Sequence, residues 1–102
     1  MMNDCVKACL DCAVACEHCL DQMIDKESHN DCPHCCQVCA AICLLCARMV
    51  TWNRGYVAEV CGLCADVCDW CAKECGEHDH AHCQACAESC RKCAQACRAM
   101  TA

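Results

Sequence analysis

The sequence predicts an all-α protein: an antiparallel up-down-up-down four-helix bundle with a cysteine-lined core. Cysteines recur in alternating steps of three and four residues, which is the a/d seam of a helix packed in a bundle. The pattern occurs four times, in segments separated by short polar breaks. Turn formers are otherwise scarce, with three Gly and one Pro in 102 residues.

The first helix is expected over residues 3–25, where Cys5, Cys9, Cys12, Cys16 and Cys19 are separated by 4, 3, 4 and 3. The polar run DKESHND at 25–31 ends it. Asp31 is placed to cap a second helix over 32–50, with Pro33 in its first turn. That helix repeats the steps in Cys32, Cys36, Cys39, Cys43 and Cys46, with Cys35 added beside the series. TWNRG at 51–55 leads into a third helix over 55–75, which carries Cys61, Cys64, Cys68, Cys71 and Cys75. Gly76 suits its C-terminal cap and Asp79 the N-cap of a fourth helix over 80–100, with Cys83, Cys86, Cys90, Cys93 and Cys97. The intervening Ala, Gln, Glu, Lys and Arg are good helix formers. Links this short make neighbours antiparallel, and residues 1–102 read as one domain. Five seam cysteines per helix then stack as five layers of four, with Cys35 near the seam.

Composition narrows the function. The formal charge is −6, and no basic patch or aromatic set is present to hold phosphates and bases, so a nucleic-acid role is not expected. Aromatics make up 3% with no Phe, so the 21 cysteines must fill much of the core. Such density in a short chain usually marks a secreted disulfide scaffold. An odd count, an opening MMNDCVKACLDC without apolar h-region or cleavage site, and few turn formers oppose that reading. The uninterrupted apolar run from Val38 to Ala47 is too short to span a bilayer. The expectation is a soluble, cytoplasmic protein whose thiols are reduced unless metal holds them.

A thiol core calls for a chemical reason. Leu or Ile would bury more area at about 25 cal/mol per Å² and would not oxidise, so stability alone does not select cysteine. Residues three or four apart on a helix have Cβ atoms about 5–6 Å apart, whereas a disulfide wants about 3.8 Å. A metal ion inserted between two thiolates accommodates the longer spacing. Thiolate-only sites select Cu(I), Zn(II) or iron–sulfur clusters. Zinc with four thiolates leaves −2 per site, so about five sites would bury about −10 in a narrow core, which is severely unfavourable. Cu(I) accepts two or three shared thiolates and leaves a neutral core near one ion per cysteine. Iron–sulfur clusters want isolated four-cysteine sets, and this ladder has no gaps. Chemistry therefore favours a store of multiple Cu(I) ions; a zinc or general soft-metal buffer, an iron–sulfur carrier and a thiol redox protein remain as rivals. No Ser/His/Asp set or carboxylate pair argues for an enzyme.

The chain also resembles the bacterial copper storage proteins, in particular the cytosolic branch without an export signal. The resemblance covers essentially the whole length, and is sharpest in CGLCADVCDWCAKECGEHDHAHCQACAESCRKCAQACRAM at 61–100 and in CVKACLDCAVACEHC at 5–19. It implies a four-helix bundle that associates as a tetramer, and a Cu(I)-ligand role for the cysteines of the ladder. A copper chaperone or cuproenzyme is the expected exchange partner; nucleic acid and membrane are not.

Antiparallel packing sorts the other soft ligands. The turns at 25–31 and 76–79 bring His29, His34, His78, His80 and His82 to one end, with Met23 one seam step past Cys19. The other end gathers Met1, Met2, Met49 and Met100. Met23, His78 and His82 are candidate accessory ligands, and the histidine end is the expected mouth, with the methionine end as the alternative. His18 falls on an outer face. A second apolar stripe runs along Val38, Ile42, Leu45 and Met49 of helix two and Val60, Leu63, Val67 and Trp70 of helix three. Helix four shows water-compatible residues outside, so self-association through helices two and three is expected.

Overall fold

A computed structural model describes residues 3–101. Four helices follow in order: α1 (Asp4–Gln22), α2 (His34–Trp52), α3 (Val57–Gly76) and α4 (Ala81–Ala99). α1 packs on α2 and α4, and α3 on α2 and α4, which leaves α1/α3 and α2/α4 on the diagonals. The result is a rod of 41 × 21 × 17 Å, with short turns joining antiparallel neighbours.

The narrow waist follows from side-chain size. Cysteines occupy the seam, and the residue after a seam cysteine is a buried alanine at Ala13, Ala40, Ala47, Ala65, Ala72, Ala87 and Ala94. Small residues at the adjoining heptad position let the helices approach until thiols from different helices touch. Larger apolar residues enter the core only at its ends, Val6, Val50 and Val60 towards the end that holds both termini and Met23 at the other. The sequence reading assigned Val60 to an outer stripe; it is instead buried.

The caps differ from the sequence expectation. Asn3 caps α1, its Oδ1 accepting from Cys5 N–H at 2.7 Å. α1 stops at Gln22 rather than 25, because Asp25 adopts a left-handed conformation at φ 68°. Pro33, not Asp31, is the N-cap of α2; Asp31 contributes its main-chain carbonyl, which accepts from Cys35 N–H at 2.8 Å. The Cys32–Pro33 peptide is cis. α2 runs on to Trp52 and ends on left-handed Asn53, and a second left-handed residue, Tyr56, opens α3. His80, not Asp79, is the N-cap of α4. Gly76 is the last helical residue of α3, and Glu77 caps it. Gly76 therefore does not form a left-handed cap, and a Cβ there would meet α4 at ordinary contact distance, 3.4 Å from Arg91 Nη2 and 3.9 Å from Ala87 Cβ.

As a whole helix, α2 is long enough and apolar enough to cross a membrane, which a count of uninterrupted apolar residues does not reveal. Its seam cysteines and alanines face the other three helices.

Candidate metal centre

All 21 cysteines are buried and free. Their sulfurs form five stacked layers. At the end holding both termini, Cys5 lies 3.7 Å from Cys97 and Cys46 lies 3.7 Å from Cys61. In the next layer Cys93 is 3.6 Å from Cys9, and Cys43 is 3.8 Å from both Cys64 and Cys93. The central layer joins Cys12 to Cys90 at 3.6 Å and Cys39 to Cys68 at 3.6 Å. Cys86 then meets Cys16 at 3.6 Å and Cys36 at 3.8 Å, with Cys71 4.0 Å from Cys36. The last layer holds Cys19 with Cys83 at 3.6 Å and Cys75 with Cys32 at 3.6 Å. Cys35 joins that layer, 3.8 Å from Cys75. Although α2 and α4 lie on a diagonal, their thiols meet across it at 3.8 Å in three successive layers, through Cys36–Cys86, Cys39–Cys90 and Cys43–Cys93.

The layers are continuous. Cys36 and Cys75 approach to 3.4 Å between layers, and Cys9 and Cys97 to 3.8 Å. Four-sulfur groups whose members lie within 4.8 Å of one another overlap: Cys12 belongs to one with Cys43, Cys68 and Cys93 and to another with Cys16, Cys39 and Cys90. Such distances are far above the disulfide length of about 2.05 Å. They match sulfurs sharing an ion, since tetrahedral ligands at about 2.3 Å lie about 3.8 Å apart. That spacing serves Zn(II) and Cu(I) alike, so charge decides between them. Among the described residues His78 is the sole buried polar side chain, and no buried Lys or Arg accompanies the thiols. The bound ions alone must then neutralise the thiolates, which a monovalent ion shared along the column does and Zn(II) in four-thiolate sites does not.

Two effects set how tightly the thiols of the column hold their protons. At its ends burial leads, raising Cys32 to about 11 and Cys61 to about 12 and pushing Cys83 up as well. Inside, hydrogen bonding divides the thiols. Cys39 is pulled well down by bonds from Cys12, Cys16, Cys43 and Cys68, while Cys43 is pushed well up by Cys12, Cys39, Cys64 and Cys68. The network therefore contains both proton holders and ready acceptors of a cation.

The histidine end is more structured than a polar turn. Met23 is buried, with Sδ 3.8 Å from Cys83 Sγ. His82 places Nδ1 3.5 Å from the same sulfur, and its buried Nε2 has no hydrogen-bond partner. His78 lies past the end of α3 and folds onto the α1–α2 loop, with Nε2 2.9 Å from Asn30 Oδ1. Its ring lies 4.9 Å from that of His29 and 6.2 Å from that of His80, and His80 stacks on His82 at 5.1 Å. His34 turns away, edge-on to Trp70, and His18 lines an outer groove with Leu10, Val14 and Leu44. Met23 and His82 thus join the top layer, while His78 is tied to a loop. The sequence reading passed over Asn30 and Ser28, which hold that loop; an asparagine among turn formers gives no signal of its distant partners. At the other end Met49 and Met100 are half-buried against the core, and Met1 and Met2 lie outside the described residues.

Outside the column, the expected α2/α3 stripe leaves Leu45 and Leu63 exposed, with Val38, Ile42, Met49, Val67 and Trp70 half-buried. A second apolar groove, which the sequence reading did not single out, lies between α1 and α2, lined by Val6, Leu10, Leu44 and Trp52.

Comparison with known proteins agrees with this geometry. The copper storage protein family profile matches residues 1–102. A curated cysteine-rich protein of Bacillus subtilis is 42% identical over 101 residues, covering 96% of this chain and 94% of its own. The solved structure of the Cu(I)-bound copper storage protein BsCsp3 superposes with a TM-score of 0.91 at 42% identity, covering 96% of this chain and 95% of its own. Apo-Csp3 from Bacillus subtilis gives 0.91 at 42% identity and 97% of each chain. A protein from Nitrosospira multiformis gives 0.86 at 29% identity, covering 96% of this chain and 92% of its own.

Proposed function

We infer the function from membership: the chain belongs to the copper storage protein family, and its thiol column stores multiple Cu(I) ions. One observation carries this reading: overlapping four-sulfur sets run through the bundle without buried cations. Overlap favours bridged monovalent ions, and the missing counter-charge disfavours a column of four-thiolate zinc sites. Every cysteine of the ladder, Cys35 included, is assigned a ligand role. Anaerobic titration of reduced apo-protein with Cu(I) and with Zn(II), each against a competing chelator, tests the assignment. Tight Cu(I) binding near one ion per thiol is expected. Saturation at a handful of ions, or a zinc endpoint near one per four thiols with higher affinity, would refute it.

The same reading assigns no catalytic activity, because the metal ligands are thiols buried inside the bundle. It places the protein in the cytoplasm and away from membranes, where reduced thiols persist, exchanging copper with a chaperone or cuproenzyme. Ions enter at the histidine end, where His82 and Met23 approach Cys83 with ligands weaker than thiolate. His82→Ala is expected to slow Cu(I) uptake at unchanged capacity, whereas Met49→Leu with Met100→Leu leaves the rate alone; the reverse result moves the mouth to the methionine end. The chain assembles as a tetramer. The α2/α3 stripe, grooved along Val38, Ile42 and Leu45 of α2, supplies one contact between copies and the α1/α2 groove a second, and two such contacts suffice to close a tetramer. Sedimentation of the wild type beside Leu45→Glu and Leu44→Glu variants tests this: each variant is expected to fall to dimers, and a monomeric wild type would overturn it.

A further inference from the structure

The α1–α2 loop meets the α3–α4 turn through one side chain. Asn30 Nδ2 donates to the Glu74 main-chain carbonyl at 2.9 Å and to Glu77 Oε1 at 3.2 Å. Its Oδ1 accepts from Cys32 N–H at 3.0 Å and lies 2.9 Å from His78 Nε2. A main-chain N–H on one side and a main-chain carbonyl on the other leave no choice of amide orientation. The atom facing His78 is therefore an acceptor, and Nε2 must carry the proton. Ser28 Oγ, 3.2 Å from the same nitrogen, donates to the Asn30 carbonyl and fits the same tautomer. His78 is left with Nδ1 as its nitrogen with a free lone pair, held in the ring cluster with His29 and His80.

Asn30 also fixes a thiol. Cys32 precedes Pro33 and lies outside α2, so helical hydrogen bonds do not hold it as they hold the other seam cysteines. Its amide is bound by Asn30, and its Sγ lies 3.6 Å from Cys75 Sγ. A single amide thus orients one imidazole and one thiol at the same end of the column. Outer partners that fix the tautomer of a ligating histidine act in this way.

We propose that Asn30 is a positioning residue of the copper-admitting end, locking His78 in its Nε2–H tautomer and holding Cys32 against Cys75. The proposal rests on the histidine-end reading above. Asn30 touches no cargo in this role; it sets the donor atom and the seat of two groups that do.

The test compares wild type with Asn30→Ala and Asn30→Asp. Ring 15N shifts of the apo-protein report the His78 tautomer without any metal, circular dichroism reports helix content, and stopped-flow transfer from a Cu(I) chelator reports uptake. Asn30→Ala is expected to convert His78 to a mixture of tautomers at native helix content. It is expected to slow uptake about tenfold or more while total capacity stays within one ion of wild type. Asn30→Asp keeps the acceptor oxygen facing His78 but turns a second oxygen on the Glu74 carbonyl and Glu77 Oε1, so it is expected to keep the Nε2–H form while loosening the loop; this arm carries the test if the alanine variant fails to fold. Adding His78→Ala to Asn30→Ala should slow uptake no further. An unchanged tautomer in Asn30→Ala, or loss of the Nε2–H form in Asn30→Asp, overturns the proposal. A changed tautomer with wild-type uptake in both Asn30→Ala and His78→Ala overturns the role given to His78, whereas wild-type uptake in His82→Ala overturns the histidine-end reading itself.

Discussion

Cys90 belongs at once to a sulfur group with Cys12, Cys16 and Cys39 and to one with Cys16, Cys71 and Cys86. Removing its thiol subtracts a bridging ligand from two groups without emptying either. Cys90→Ala is therefore expected to lower Cu(I) capacity by about one ion, since neighbouring thiolates reshare the rest. A chelator-competed count on the purified variant checks this, and loss of a block of four or more ions would mean closed, independent sites. The cysteine seats were legible because each helical seam position is fixed by local spacing, and Met23 followed by extending the same step. The same step also puts His78 at a seam position, and it is buried, but its contacts were not legible in that way. It lies beyond the end of α3, so helical register no longer governs it, and its partner Asn30 is 48 residues away in sequence. Cys35, beside the series in sequence, joins the top layer because the chain enters α2 through Pro33 and turns both Cys32 and Cys35 towards Cys75.

The helices owe their close approach to the Cys-Ala step as much as to the cysteines. Ala87 on α4 is fully buried, and its Cβ comes within 3.9 Å of the point where a Cβ on Gly76 of α3 would lie. Ala87→Leu would wedge α3 from α4 where Cys75 and Cys86 bring their sulfurs to 3.9 Å, costing about 1–3 kcal/mol by overpacking. Thermal unfolding of the apo-protein measures that cost. Capacity should fall in the same variant, because thiols forced apart no longer share an ion, whereas Ala58→Leu on the exposed side of α3 should change neither. A stability loss of about 1 kcal/mol is expected for Asn3→Ala, which removes the one side-chain cap among the four helix starts. Helix number and order were readable from the fourfold repeat of the seam. The caps were not, since Asp31 and Asp79 have capping side chains but the chain turns at Pro33 and His80, where tertiary contacts of the two loops fix the backbone. Gly76 misled for a related reason: its backbone remains helical and the cap falls one residue later, at Glu77.

The protein as a whole couples copper, protons and stability, and the signs can be worked out. Burial raises the thiol of Cys32 from the ordinary 9.0 to about 11 and that of Cys61 to about 12. A group whose proton is held more tightly in the fold than in the unfolded chain stabilises the fold fully below its unfolded value. That contribution declines once the pH exceeds 9 and is gone when it passes the folded values. The apo-protein is therefore expected to lose melting temperature between pH 9 and 11, as Cys32 and Cys61 ionise in a core that holds no buried Lys or Arg among the described residues. The loaded protein should not follow, because its thiols have already given their protons to solvent and their charge is matched by Cu(I). Loading at neutral pH must release about one proton for each thiolate formed, so uptake should tighten with rising pH and acid should expel the ions. Parallel melting curves of the apo and loaded forms across this range, with proton release followed by an indicator dye, check all three consequences. A loaded form that melts in step with the apo form through alkaline pH would show that its thiols still titrate, and so that copper does not neutralise the column.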